Sequence, residues 1–244
     1  MNIRDKAIIT GLYLSKYSEV GLKKLGFSSF QESFNILGFS LGSKPSSIKN
    51  YRDEFDPLFP NNRKGWHKRP IRDYCKYFYD YYFNTSFEEF SILIKSFFIE
   101  NYELEEFISK IEKKNYSESV AKRLLTGKAA EEYFKKEYVK IKEFHKFNLT
   151  DTTNLACGFD YKLSLNSAFY CVEVKGLNEL KGGIQFTEKE YYVAQNMKSS
   201  YCLFIVKNFK EKPIHDIVFD PLNSRLLFKE IKREITQTTY TTII

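Results

Sequence analysis

The sequence predicts an α+β / α/β chain in two parts: a helical region over residues 1–115 and an α/β unit with a mixed β-sheet over residues 116–244. Three observations carry this. Up to residue 113, apolar and aromatic residues recur at helical spacing. From Leu155 the chain turns to short, apolar, β-branched runs such as 168–175 and 201–206. A helix signal, Thr187-Glu-Lys-Glu190, separates those two runs, and the order helix, strand, strand, helix, strand describes a mixed sheet.

With 244 residues, 43% hydrophobic and 28% charged, the chain can bury a core and keep a solvated surface. No apolar run is long enough to span a bilayer, and no charged segment leads into an apolar one at the start. The expectation is a cytoplasmic protein with no membrane partner. A net charge of +7 favours an anionic partner, nucleic acid first and a membrane surface second. The excess is local: between Lys44 and Arg72, eight Lys/Arg stand against Asp53, Glu54 and Asp56. Cys75, Cys157, Cys171 and Cys202 form no CxxC pair, which argues against a zinc site, and a reducing compartment argues against disulfides. His67, His145 and His215 are scattered and read as loop or surface residues. The absence of a P-loop motif disfavours NTPases.

Taken in order, residues 3–16 carry Ile3, Ala7, Ile8, Leu12 and Leu14 at near-helical spacing, and a short second segment ends at Gly26. Ser29 opens a helix with Phe30, Phe34, Leu37 and Leu41 on one face, and Gly42 stops it. Pro45 suits the first turn of the next helix, with Ser43 or Ser46 as its cap. Helix, Gly turn and basic helix make a helix-turn-helix pattern. In it Ile48, Tyr51 and Phe55 face the core, while Ser46, Ser47, Lys49, Asn50 and Arg52 face outward toward DNA. An ordinary helical hairpin with a solvated basic face fits the same residues.

The loop 60–70 sets the only Trp, Trp66, among Arg63, Lys64, Lys68 and Arg69. Either it grips phosphates with Trp66 against sugar or base, or it is a surface loop anchored by a buried Trp66. Residues 71–113 space Tyr74, Phe78, Tyr81, Tyr82, Phe87, Phe90, Phe97 and Phe98 as a packed core rather than a stacking platform. Residues 118–144 read as a Lys/Glu-rich helix that Gly127 interrupts or bounds. The β-prone tail 236–244 suggests an edge strand.

The chemistry-bearing residues follow. Positions two apart on a strand share a face, so Glu173 and Lys175 point one way while Val172 and Val174 turn to the core. Asp160 joins that face if a hairpin closes across 164–167. Asp160 and Glu173 are then two hard oxygen ligands suited to Mg²⁺, the Val174 carbonyl is another, and Lys175 orients a water and stabilises charge on phosphorus. Glu-x-Lys alone arises by chance about once in a chain of this size. Gly158-Phe-Asp160 on the neighbouring segment strengthens it, against the alternative of a surface hairpin with a salt bridge. Thr187 and Glu190 form a capping box, a structural role. Gln185 is a candidate to orient a water or a phosphate.

Asp160 followed by Val-Glu173-Val-Lys175-Gly resembles the PD-(D/E)xK nuclease superfamily, which includes most type II restriction endonucleases. More narrowly, residues 126–208 resemble the nuclease-like domain found at the C-terminal end of NO VEIN and in bacterial restriction-associated proteins. The elements occur in order: Gly127-Lys-Ala-Ala-Glu131, Gly158-Phe-Asp160, Glu173-Val-Lys175-Gly176, Thr187-Glu-Lys-Glu190 with Ala194, and Tyr201-Cys-Leu-Phe. Ala130 departs from the family, which more often has Gly there, but it preserves close packing. The resemblance implies a PD-(D/E)xK-type mixed sheet flanked by helices, a catalytic core of Asp160, Glu173 and Lys175, and Glu131 as an extra acid near the metal. Without it, Glu131 is a surface acid paired with Lys128 or Lys135.

The expected function is therefore a Mg²⁺-dependent endonuclease on double-stranded DNA, a type II site-specific restriction enzyme. Cutting two strands implies a homodimer, and such a system includes a cognate DNA methyltransferase. Two alternatives stay open: a DNA-binding regulatory protein on an inactive nuclease fold, and a nuclease specific for modified DNA.

Overall fold

The computed structural model describes residues 1–63, 65, 69–98, 117–232 and 242. Lys64, Trp66, His67 and Lys68, the end of the expected 71–113 helical stretch, and the expected edge strand at 236–244 (apart from residue 242) lie outside the described residues. The helical region comprises α1 (Ile3–Lys24), α2 (Phe30–Ser40), α3 (Pro45–Phe55), α4 (Asp73–Tyr82) and α5 (Phe87–Ser96). Side-chain caps set several starts. Asn2 accepts the Asp5 N–H, Ser29 accepts the Glu32 N–H, and Ser86 with Glu89 closes a reciprocal box. The two segments expected before Gly26 are present as the two arms of α1, which meet at a kink where Ser18 leaves helical geometry at φ 47°. Neither Ser43 nor Ser46 caps α3: Lys44 precedes it without a side-chain bond. Pro45 suffices, since its φ is already helical and it has no N–H to satisfy.

The pair α2–α3 forms where expected, with Ile48 and Phe55 buried and Ser46, Lys49 and Asn50 exposed; Ser47 and Tyr51 are half-buried. The outward placement of Arg52 is corrected. It is 8% exposed, bonded to Asp53 at 2.6 Å and lying 3.4 Å from the buried Asp56. Two loop cations also pair with internal acids, Arg63 with its side chain 19% exposed and Arg69 38%. Arg63 pairs with Asp56 at 2.6 Å, and Arg69 and Arg72 both pair with Glu54. A desolvated carboxylate needs a cation, and these arginines supply it.

The α/β part is a five-stranded sheet in the order β1 (Asn148–Asp151), β2 (Tyr161–Leu165), β3 (Ala168–Gly176), β4 (Tyr201–Lys207), β5 (Ile214–Phe219). All neighbours are antiparallel except β3–β4, which are parallel and joined through α7 (Glu188–Met197). The expected hairpin between Asp160 and Glu173 is present: β2 and β3 pair from Tyr161↔Val172 to Leu165↔Ala168, and Asn166 turns it at φ 52°. One face of the sheet is covered by α6 (Ser117–Glu137). Its Phe134 ring lies 5.1 Å from Tyr161 and 4.8 Å from Phe204. Gly127 neither breaks nor bounds α6, which ends at Glu137 before a single 3-10 turn rather than running to 144. On the opposite face Cys171 and Tyr201 pack with Ala194 of α7.

The two regions share one buried cluster, and polar bonds cross between them. Asn35 Nδ2 donates to the carbonyls of Phe209 and Glu211, and Ser40 Oγ donates to the Leu125 carbonyl. Gly176 sets how closely α6 meets β3, because a Cβ there would sit 2.6 Å from the Thr126 carbonyl oxygen. Gly176→Ala must push the helix away from the end of β3. The expected loss is about 1–3 kcal/mol, read as a lower urea midpoint; a midpoint equal to wild type would show that the contact has slack.

Candidate active site

The turn before β2 is pinned before it delivers its carboxylate. Gly158 has φ +91°, its carbonyl accepts the Tyr201 hydroxyl at 3.0 Å, and a Cβ on it would strike Val193 of α7 at 2.8 Å. The Asp160 N–H then donates to the Val172 carbonyl (3.0 Å) and its own carbonyl accepts the Thr152 N–H (2.9 Å). The paired register begins at Tyr161↔Val172, so Asp160, whose N–H turns to the carbonyl of Val172 rather than of Glu173, forms an irregular step just before β2. This step leaves the Asp160 carboxylate at the open end of β2, bonded to the β3 backbone and close enough to Glu173 for its charge to be felt there.

The Val174 N–H donates to Asp160 Oδ2 at 2.8 Å. In an extended strand the N–H and C=O of one residue point the same way, so the Val174 carbonyl also opens to that side, past the start of β2. The Leu177 N–H, bonded to Val206 O at 2.7 Å, shows that the alternate positions face β4 instead. Lys175 Nζ bridges Glu173 Oε1 at 2.5 Å and Glu190 Oε2 at 2.7 Å, and lies 5.6 Å from the centre of the Phe186 ring. The structure therefore brings together Asp160, Glu173, Val174 and Lys175.

Of the other candidates, Glu131 on α6 lies 3.8 Å from Lys128 and close enough to Asp160 to feel its charge. Lys135 turns instead to Glu132 and Asp151. Gln185 is exposed, and among the described hydrogen bonds none joins it to this cluster. The capping box of Thr187 and Glu190 forms as expected. The pairing of Glu190 with Lys175 was missed, because capping alone fully accounts for Thr-x-x-Glu in sequence. His145 bonds the Lys142 carbonyl, and His215 stacks on Phe204 and bonds Tyr133.

Acids outnumber cations here. Burial pushes the Glu173 carboxyl up to about 9, with the Asp160 charge adding to it and Lys175 opposing. Burial also raises Asp160, against the Val174 hydrogen bond and Lys175. Glu131 rises to about 7, from burial first and Asp160 second. For Lys175, burial disfavours the charge, but Glu173 and Glu190 outweigh it and the net shift is upward.

Among the described residues no three His, Cys, Asp or Glu side chains are gathered as a ready-made cage for a metal. Mg²⁺ does not need one: one or two carboxylates suffice when water and phosphate complete the octahedron. The free oxygen of Asp160, the Glu173 carboxylate and the Val174 carbonyl are hard donors of that type.

These shifts set a pH dependence. A carboxyl raised in the folded state contributes stability below its unfolded value of about 4.3, and that contribution is lost as pH rises through the folded value. Metal-free protein should therefore lose stability through Glu131 and then Glu173 as pH climbs toward 9. A divalent cation that takes the ionised form reverses this. The rise in Tm on adding Mg²⁺ should be larger at about pH 8.5 than at about pH 6; equal rises at both would contradict the assignment of Glu173 as a ligand.

Residues 130–219 match the family described as Protein NO VEIN, C-terminal. This part of the chain is similar to that domain, and it contains Glu131, Asp160, Glu173, Lys175 and Glu190 together with the whole sheet. No curated protein and no solved structure matches the chain. Among the described residues no helix is long and apolar enough to cross a membrane.

Proposed function

We propose that this chain is a Mg²⁺-dependent endonuclease that hydrolyses double-stranded DNA at specific sites. In this reading it is a type II restriction enzyme working as a homodimer, paired in its system with a cognate DNA methyltransferase. The observation that carries the reading is the convergence of Asp160, Glu173 and Lys175 at the open end of β2, with Glu173 buried at 3% exposure. Burying a carboxylate beside another carboxylate is costly, and a site that binds a cation is the usual reason to retain it.

Asp160, Glu173 and the Val174 carbonyl would hold the ion. When bound, Mg²⁺ supplies Lewis-acid polarisation of the phosphate oxygens. The Lys175 ammonium orients the attacking water and offers a positive charge to the oxygens that gain charge at phosphorus. Glu131, titrating near neutrality, supplies a proton acceptor from the α6 side. Exposed Ser46, Lys49 and Asn50 on α3, with half-buried Ser47 beside them, form the face of the helical region offered to the duplex.

Digestion of unmodified and methylated phage DNA with Mg²⁺ tests this, with an EDTA lane and Asp160→Ala beside it. Discrete fragments from unmodified DNA, lost in EDTA and in the variant, are the expected result. Fragments from methylated DNA alone would shift the reading to a modification-dependent nuclease. Intact DNA throughout, with retention on a gel preserved, would sink the catalytic reading and leave a DNA-binding protein.

A further inference from the structure

We infer that Glu190 is a positioning residue for Lys175: it anchors the ammonium so that Glu173 is released to the metal. The inference rests on the metal-nuclease reading of this site. Lys175 Nζ is held by two carboxylates, Glu173 Oε1 at 2.5 Å and Glu190 Oε2 at 2.7 Å. They differ in how they are fixed. Glu190 Oε2 also accepts the Thr187 N–H at 3.1 Å, and the Glu190 N–H donates to Thr187 Oγ1 at 3.2 Å, so this carboxylate is locked into the first turn of α7. Glu173, on β3 beside Asp160, has no such tether.

An ion bound at Asp160 and Glu173 needs the carboxylate that Lys175 now occupies. With Glu190 in place, Lys175 keeps an anionic partner when Glu173 turns to the metal. Without it, metal loading strands an ammonium whose side chain is only 20% exposed. Glu190 thus makes loading less costly and keeps the ammonium aligned beside the reacting phosphate, as residues behind metal ligands commonly do.

The competing account is that Glu190 is a helix cap and nothing more. The two separate cleanly, because a cap needs only an oxygen acceptor, which Gln provides, whereas Lys175 needs a charge. The test uses the full chain as wild type, Glu190→Gln and Thr187→Ala. It reads Tm without metal, the Mg²⁺ concentration at half-maximal thermal shift, and kcat and KM on DNA.

Glu190→Gln is expected to raise the Mg²⁺ midpoint and lower kcat, each by about 10- to 100-fold, with KM within about twofold and the metal-free Tm near wild type. Thr187→Ala is expected to lower the metal-free Tm, as loss of a cap does, with the Mg²⁺ midpoint and kcat within about threefold of wild type. A wild-type midpoint and kcat in Glu190→Gln would overturn the inference. So would losses of Tm and kcat in the same proportion in both variants, which is the signature of a cap alone. Wild-type protein that shifts with Mg²⁺ but does not cut would overturn the nuclease reading, while the midpoints still decide the role of Glu190. Wild-type protein that does neither would overturn both.

Discussion

Lys175→Ala is expected to lower the rate of the proposed Mg²⁺-dependent cleavage by about 10²- to 10³-fold, the cost of removing a charged donor aimed at a developing negative charge. The ammonium has three N–H donors; Glu173 and Glu190 engage two and leave one for the water or phosphate. Lys175→Arg should fail to a similar degree, because a planar guanidinium cannot divide its donors among three directions from one atom. The fold should tolerate the change. Burial raises the Glu173 carboxyl to about 9 even with Lys175 beside it, so removing the ammonium leaves no unpaired buried charge there at neutral pH. Single-turnover cleavage with gel retention alongside measures both sides. A variant that cuts within about threefold of wild type would remove Lys175 from the chemistry; one that also loses retention would place it in binding instead.

The site was legible where it depended on local periodicity. Two-residue alternation placed Glu173 and Lys175 on one face, and a hairpin turn at Asn166 was enough to bring the start of β2, with Asp160 just before it, beside β3. The capping box at Thr187 follows from three-residue spacing alone. What failed to read was tertiary. Strand β1, Asn-Leu-Thr-Asp, is short, polar and mostly exposed, so it has no apolar alternation to find; its order comes from pairing with β2. Gly127 suggested a break because Gly costs about 1 kcal/mol against Ala inside a helix, but the buried Ala129, Ala130 and Phe134 hold α6 against the sheet through it. The second role of Glu190 depends on Lys175, on a different element. Charge counting over residues 44–72 measured cations correctly and misjudged their availability, since nothing local shows that Glu54 and Asp56 are buried.

That burial sets the largest expected loss of stability. Asp56→Ala is expected to destabilise the protein by about 3–5 kcal/mol, the cost of breaking a buried ion pair by removing one partner. The Asp56 side chain is fully buried and serves several donors. Arg63 Nη2 reaches Oδ1 at 2.6 Å and Arg63 Nε reaches Oδ2 at 2.9 Å, while Ser15 Oγ donates to Oδ1 at 2.7 Å and Arg52 Nε lies 3.4 Å from Oδ2. The same Arg63 donates to Ser18 Oγ at 2.7 Å and to the Ser15 carbonyl at 3.3 Å, at the kink in α1 and just before it. Losing Asp56 therefore loosens the hold of the 60–63 segment on the kink as well as the end of α3. Asp56→Asn keeps the shape and removes the charge, and should recover only part of the loss. Lys24→Ala is the control: it removes an exposed pair with Glu88 and should cost less than about 1 kcal/mol. Urea unfolding of the three variants gives the ordering directly. DNA retention should weaken with Asp56→Ala, because α3 carries Ser46, Lys49 and Asn50. If Asp56→Ala unfolds at the same urea concentration as Lys24→Ala, the arginines have other partners of equal worth, and the acid is not what turns them inward.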